Sequence, residues 1–394
     1  MVDFAVSKEQ SALVQLARDF VEKEAKPRVA ELDKLSDPAE SVSADLLEKC
    51  SELGFRAMAI PKKYGGMGVE DTVTIVMVCE ELGVGDVTLA SVPINGRKLY
   101  HILDNREVAT EEVRDKWLKE FCADPTFLVS IAMTEPDSGA DNILPYNAPG
   151  AGVRTTAVRE GDEYVINGMK HFIAHAGIAK LYLVFARTDP TKGIMEGCSC
   201  FLIPDGHPGM RFGRVHDKMG FRLLRNQEII FENCRVPAEW RLGPEGTGVA
   251  TIRAGLGSDG ILNAARAIGV ARRAFEEITE FCRNRVQGGK PIIEHQVIAS
   301  TLADMYASLE AMRSLVWNVA WSVDHLPPDP KRVPAVMTFC TEHAFEIVHR
   351  AAELAGGMGV MKDAPFEKLL RDGFSIKHLD GGNYIKRIKV GAAL

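Results

Sequence analysis

Apolar positions in the first third of the chain recur at intervals of three and four. Leu13, Leu16, Ala17, Phe20 and Val21 fall on one helical face, the stripe of a helix that leans on a core. Ser7-Lys-Glu-Gln10, just ahead of it, has the form of a capping box: a serine oxygen takes the third amide while the glutamine reaches back. The helical stripe returns over residues 44–53 and 72–82, with the turn-rich Ile60-Pro-Lys-Lys-Tyr-Gly-Gly-Met-Gly68 between them. From about residue 126 the period becomes two. Leu181-Tyr-Leu-Val-Phe-Ala-Arg187, Cys200-Phe-Leu-Ile-Pro204 and Glu228-Ile-Ile-Phe-Glu-Asn233 read as strands separated by Gly and Pro clusters. Tyr164-Val-Ile-Asn-Gly168 predicts a strand that ends in a tight Asn-Gly turn. Helical spacing resumes from about residue 243. One helix is expected over 261–285 and one over 297–326, the latter stopped by Pro327-Pro328-Asp329-Pro330. A third, over 333–354, ends at Gly356-Gly357, which suits a helix C-terminus. The chain therefore divides into an N-terminal helical domain (1–125), a middle β domain (126–242) and a C-terminal helical bundle (243–394).

Composition changes this picture little. The 394 residues are 46% apolar and 26% charged, enough to bury a large core and far from the composition of a disordered chain. A net charge of −7 argues against a general nucleic-acid binder, whose phosphate contacts need clustered positive charge. The N-terminus has no basic stretch leading into an apolar one, so no secretory leader is expected. No uncharged apolar run approaches the ~20 residues of a membrane span, and a cytoplasmic location is expected. Eight scattered cysteines read as reduced thiols. His171 and His175 have no neighbouring residues in sequence to complete a ligand set, so no metal is expected.

Near the C-terminus stands Glu367-Lys-Leu-Leu-Arg371-Asp, then Asp380-Gly381-Gly382, after the run Ala355-Gly-Gly-Met-Gly359. Met133-Thr134-Glu135-Pro136-Asp137-Ser138-Gly139-Ala140-Asp141 and Ile166-Asn-Gly-Met-Lys-His-Phe172-Ile-Ala174 occur upstream. So do Lys218-Met-Gly-Phe-Arg222, and Arg285 with His295-Gln296. In this order the segments resemble the signatures of the acyl-CoA dehydrogenase family along essentially the whole chain. The resemblance implies that family's fold: an N-terminal α-helical domain, a middle β-barrel-like domain and a C-terminal four-helix bundle. It implies FAD as cofactor and a homotetramer. It also implies α,β-dehydrogenation of a CoA thioester, with electrons passed to an electron-transfer flavoprotein.

Residue by residue, the resemblance assigns flavin contacts to Met133 and Thr134. It puts Phe172 where the family has a Trp over one flavin face, and Ala174 where it has a Thr near N5. Arg285, Gln296, Glu353, Gly356 and Gly357 would reach the FAD of a neighbouring subunit, and Gly382 would also contact the cofactor. Ala140 and Gly381 would face the substrate. Asp380 occupies the place of the family's proton-abstracting glutamate, one methylene shorter. Asp259, in Leu256-Gly-Ser-Asp259-Gly260, matches an alternative position from which some members supply their base, and otherwise reads as a helix N-cap. Desolvation by an apolar substrate is expected to raise the pKa of the base. By resemblance to members of the family that act on alicyclic acyl-CoAs, an aspartate at this position implies a cyclic or otherwise bulky acyl group. The alternatives are a nitroalkane-oxidase-like flavoprotein, which also uses an aspartate, and a non-catalytic member of the family.

Overall fold

The computed structural model describes residues 5–143, 147–250, 252 and 257–394. Helix α1 (Lys8–Phe20) begins at the expected capping box: Ser7 Oγ accepts from the Gln10 amide at 3.1 Å, and Gln10 Oε1 accepts from the Ser7 amide at 2.8 Å. Helices α2 (Lys26–Leu32), α3 (Ala44–Glu52), α4 (Thr72–Gly85), α5 (Ser91–Asp104) and α6 (Glu111–Ala123) complete the first domain. Helix α4 is buried on almost every side, as its run of Val, Ile, Met and Leu requires. Its two buried acids are each paired with arginine, Glu80 with Arg313 at 2.8 Å and Glu81 with Arg272 at 2.5 Å, as buried charge demands.

The middle domain is one eight-stranded mixed sheet. Its strands are β1 (Val129–Ala132), β2 (Thr156–Glu160), β3 (Glu163–Ala174), β4 (Leu181–Arg187), β5 (Cys198–Pro204), β6 (Met210–Val215), β7 (Asn226–Pro237) and β8 (Arg241–Leu242). The order is β6-β7-β3-β2-β4-β5-β8, with β1 parallel to β4. Strand β4 is buried along its whole length and forms the spine of the layer. The expected turn at Asn167-Gly168 does not form. Strand β3 runs through it, with a register shift between Ile166 and Gly168 and Gly168 at φ 144°. A Cβ at Gly168 would lie 2.6 Å from Thr155 Oγ1, so this glycine admits a close neighbour at a bulge instead of turning the chain. The hairpin turn falls earlier, between β2 and β3.

The C-terminal domain is helical: α7 (Gly260–Asn284), α8 (Gln296–His325), α9 (Arg332–Leu354), α10 (Phe366–Ile376) and α11 (Gly382–Ala392). Helix α8 stops at the proline run, and α9 gives way to Gly356 at φ 58°. Helices α10 and α11 are the two halves of a fourth long rod, interrupted around Asp380. Helices α4 and α7 cross closely at Gly83, where an added Cβ would lie 2.9 Å from the Arg266 carbonyl oxygen. Lys368 on α10 bridges Asp86 at 2.7 Å and Asp372 at 2.6 Å, tying the fourth rod to the first domain. Among the described residues, no helix is long and apolar enough to cross a membrane.

Candidate functional site

The interruption of the fourth rod is built from three consecutive residues with positive φ: Asp380 (49°), Gly381 (84°) and Gly382 (80°). Aspartate tolerates the left-handed region better than most residues, and glycine enters it freely. Gly381 has a second reason to lack a side chain, because a Cβ there would collide with Cδ1 of Ile143. Ile143 thus packs against the turn that carries Asp380. Lys386 Nζ donates to the Leu379 carbonyl at 2.6 Å and fixes the turn from the α11 side.

Asp380 Oδ2 accepts from Asn263 Nδ2 at 2.6 Å. The residue keeps an open, solvent-accessible side, as a base that must meet a substrate does. Burial is the largest single influence on its titration and acts upward. The combined attraction of Lys98, Lys386, Arg266 and Lys389 outweighs it and holds the carboxyl below the ordinary aspartate range. The expected upward shift is therefore absent before substrate arrives, and the group is an anion at neutral pH.

Asp259 lies one helical turn before Asn263 on the same face of α7. It stands at the N-cap position, but its side chain caps nothing. It is fully buried; Oδ1 accepts from Arg97 Nε at 2.9 Å and lies 3.2 Å from His101 Nδ1, while Oδ2 has no partner. Arg97 continues to Thr72 Oγ1 at 2.8 Å, and Thr72 to Asp324 at 2.5 Å. Arg97, Tyr100, His101, Ser258 and Asp324 line a cavity of about 330 Å³. Asp259 is thus the buried end of a polar chain that joins α7, α5, α4 and α8 and finishes at exposed Asp324, and Asp380 is the more open of the two carboxylates.

On the sheet, β1 ends at Ala132, which leaves the amides of Met133 and Thr134 beyond the ladder. Glu135 anchors the following turn. Its carboxylate accepts from Arg154 and Thr155 amides at 2.6 and 2.9 Å and pairs with fully buried Lys170 at 2.6 Å. Burial tends to raise Glu135 and lower Lys170; the pairing with Lys170 prevails for Glu135, which titrates below its usual range. Lys170 also reaches the Met133 carbonyl at 3.2 Å, and the Thr134 carbonyl accepts from the His171 amide at 2.7 Å. This places Thr134 beside β3, whose Phe172 stands at φ 59° with 57% of its surface exposed. Ala174 is partly buried, and its carbonyl accepts from Ser130 Oγ at 2.7 Å. Ala140 is exposed at the start of a single helical turn. The histidines part company. His175 is buried with Nδ1 unpartnered, whereas His171 meets His216 and Glu228, three donor atoms lying within 4.8 Å of one another. A possible ligand set around His171, not anticipated from its sequence neighbours, is thus assembled by two other strands' ends.

A third group lies on the helical bundle. Arg285, exposed at the end of α7, lines a cleft of about 490 Å³ with Phe281, Met358 and Phe366. Gly356 and Gly357 form the neighbouring turn, and a Cβ at either would meet nothing within 4 Å. Gln296 is exposed at the first position of α8, and Glu353 is exposed 3.8 Å from His349 Nε2. A guanidinium beside open, side-chain-free amides is suited to a pyrophosphate. An exposed aromatic face beside free strand-end amides is suited to a flavin ring. The residues present fit FAD, divided between the sheet and the bundle.

Sequence reasoning missed Asn263, Lys98 and Arg97. Only Asn263 left a trace, a buried polar residue at the four-residue spacing from Asp259.

Comparison with known proteins converges. The chain matches the family models described as acyl-CoA dehydrogenase N-terminal domain over residues 7–124, middle domain over 130–234 and C-terminal domain over 246–394. It is 34% identical over 394 residues to a cyclohex-1-ene-1-carbonyl-CoA dehydrogenase of Geobacter metallireducens, covering 99% of this chain and 98% of that one. Its fold superposes on butyryl-CoA dehydrogenase from Megasphaera elsdenii with a TM-score of 0.89 at 31% identity, covering 100% and 99% of the two chains. It superposes equally, at a TM-score of 0.89 and 32% identity with the same coverage, on a chain solved in work on the electron transferring flavoprotein of Acidaminococcus fermentans.

Proposed function

Because the chain belongs to the acyl-CoA dehydrogenase family, FAD-dependent oxidoreductases acting on CH–CH bonds, we propose that it oxidises a cyclic or otherwise bulky acyl-CoA with Asp380 as its base. The observation that carries this reading is the state of Asp380. It is an anion on an open left-handed turn, oriented by Asn263 and surrounded by cations.

The α-proton of the thioester passes to the Asp380 carboxylate. Bound FAD supplies the acceptor for the hydride that leaves the β-carbon, and a carbon–carbon double bond forms between the two positions. Asn263 fixes which oxygen faces the α-carbon, since its hydrogen bond occupies Oδ2 and leaves Oδ1 for the proton. Glu135 and Lys170 hold the Met133–Thr134 turn, whose amides would receive the flavin edge, and exposed Phe172 would lie against the ring. Arg285, Gln296 and the amides of Gly356 and Gly357 would hold the pyrophosphate of a neighbouring subunit's FAD. Exposed Val286, Val297 and Val360 on the bundle, 61%, 72% and 77% accessible, support an oligomer that covers them. Asp259, already committed to Arg97, shapes the pocket. Electrons leave to an electron-transfer flavoprotein, as the fold shared with the Acidaminococcus chain supports. The bulky acyl group is supported by the shortened base, by Ala174 and by the printed substrate of the Geobacter relative.

Anaerobic mixing with a panel of acyl-CoAs and nitroalkanes, following loss of the flavin absorbance, tests the reading. Bleaching by thioesters alone is expected. Bleaching by nitroalkanes alone would remove the dehydrogenase assignment, as would a protein that retains no flavin.

A further inference from the structure

Six arginines are buried among the described residues, and five of them are hydrogen-bonded. Arg56 reaches the Phe121 carbonyl at 2.6 Å, Arg97 reaches Asp259 at 2.9 Å and Arg114 reaches Tyr64 Oη at 3.0 Å. Arg187 reaches the Val153 carbonyl and Arg273 the Gly85 carbonyl, both at 2.8 Å. Arg266 is the exception. It is 5% exposed, its Nε has no partner, and it forms no hydrogen bond or ion pair among the described residues. A buried guanidinium without a hydrogen-bond acceptor is strongly disfavoured, and Arg266 is the buried arginine in that state among the described residues.

Its position bears on which acceptor would suit it. Arg266 lies on the face of α7 that carries Asp259 and Asn263, seven and three residues earlier. Its guanidinium stands 5.8 Å from the ring centre of Phe221. Phe221 is itself pinned at φ 54° by a 2.7 Å hydrogen bond from its amide to Asp372. Among the charges that attract Arg266, Asp380 comes first, yet the two do not pair directly. Arg266 and Asp380 thus attract each other without a direct ion pair, and neither neutralises the other at contact distance. Thr88 Oγ1, on the segment that links α4 to α5, is also buried without a partner.

We propose that Arg266 is a specificity residue that binds a carboxylate on the acyl group, so that the substrate is the CoA thioester of a dicarboxylic acid. This rests on the acyl-CoA dehydrogenase reading and narrows it. A guanidinium fork gives two parallel donors to a carboxylate. An acyl group that is wholly hydrocarbon would leave it unpaired, and a site built around a buried donor discriminates strongly against a ligand lacking the acceptor. Burial pulls the Arg266 guanidinium down to about 10, which leaves it charged at neutral pH. The bound carboxylate would also offset the field of Arg266 at Asp380, moving the base upward only when the right substrate is present.

The test uses the FAD-loaded protein and matched pairs of thioesters, open-chain and cyclic, that differ only in a carboxylate or a methyl at the far end. Two quantities are read: the anaerobic rate of flavin reduction, and the dissociation constant of the corresponding 2-enoyl product, which binds without turnover. In the parent protein the carboxylate member of at least one pair should be preferred tenfold or more in both. Arg266→Met should abolish that preference by loss of the carboxylate member alone, and Arg266→Lys should keep part of it. Equal or better use of the methyl members by the parent protein overturns the proposal, and this decides even where a variant fails to fold. So does an equal slowing of both members by Arg266→Met, or a shared shift in their pH profiles, which would assign Arg266 to the base or the flavin. If no thioester bleaches the flavin, the family-level reading fails instead.

Discussion

Asn263 donates to Asp380 Oδ2 across 2.6 Å, and it does so from the helical turn directly after Asp259. The two aspartates that compete on paper for the role of base are thus separated in kind. One is oriented by a neutral amide and faces an opening; the other is sealed against Arg97.

Removing the amide should move the base. A hydrogen bond to a charged group contributes about 1.5–3 kcal/mol, which corresponds to roughly one to two pKa units. In Asn263→Ala the acid limb of the pH–reduction profile should therefore shift upward by about that amount, with flavin binding unchanged. A profile that coincides with the parent's would show that the amide does not orient the base.

The two aspartates should fail differently. Asp380→Asn should slow flavin reduction by ~10²–10⁴-fold, the usual weight of a positioned base, at unaltered denaturation midpoint. Asp259→Asn leaves Arg97 without its buried counter-charge, and breaking such a pair costs about 3–5 kcal/mol. Its signature should be a lower denaturation midpoint with measurable reduction. The opposite pattern would reassign the base to Asp259.

His175 should report acid instability. Burial lowers it to about 4 from the usual 6.5, with Lys218, Arg266 and Lys98 adding to the effect. The folded state therefore resists protonating a group that the unfolded chain protonates readily. The stability this provides is full above pH 6.5 and is lost as pH falls toward 4, by about 3 kcal/mol in all at 1.36 kcal/mol per unit. Stability curves at several pH values should show this loss in the parent and a shallower one in His175→Phe.

Glu135→Gln should destabilise by about 3–5 kcal/mol, because it strands the ammonium of Lys170 inside the sheet domain. Flavin retention should fall with it, since the Met133–Thr134 turn loses its anchor. Retained flavin and an unchanged denaturation curve would sink both points.

Gly381→Ala combines a backbone at φ 84° with a collision against Ile143. The fold should survive while the rate of flavin reduction drops, because the displaced neighbour is Asp380; a displacement of about 1 Å can matter ~10²-fold. A rate equal to the parent's would mean that the turn has slack.

Local chemistry was legible in the sequence. The Ser7–Gln10 box, the proline stop after α8 and the glycine end of α9 depend on residues a few positions apart, and the structure contains all three. The Asn167-Gly168 turn misled because the same glycine that permits a turn also permits a bulge, and the choice is made by Thr155 on a neighbouring segment. The electrostatics of Asp380 could not be read at all. Lys98 reaches it from α5 and Arg266 from α7, and no periodicity within one helix shows what another helix will bring. Arg266 itself reads as one more polar position in a helical pattern until its surroundings show no hydrogen-bond acceptor for it among the described residues.

The break between α10 and α11 gives the enzyme a fixed mount with an interchangeable tip. Asp380 contributes its carboxylate from a turn whose shape is set by two glycines, Lys386 and Ile143, none of which senses how long the acid is. A lineage can therefore lengthen or shorten the reach of the carboxylate proposed as proton acceptor by one carbon without repacking the bundle. Divergence in what such proteins oxidise can then proceed faster than divergence in their architecture.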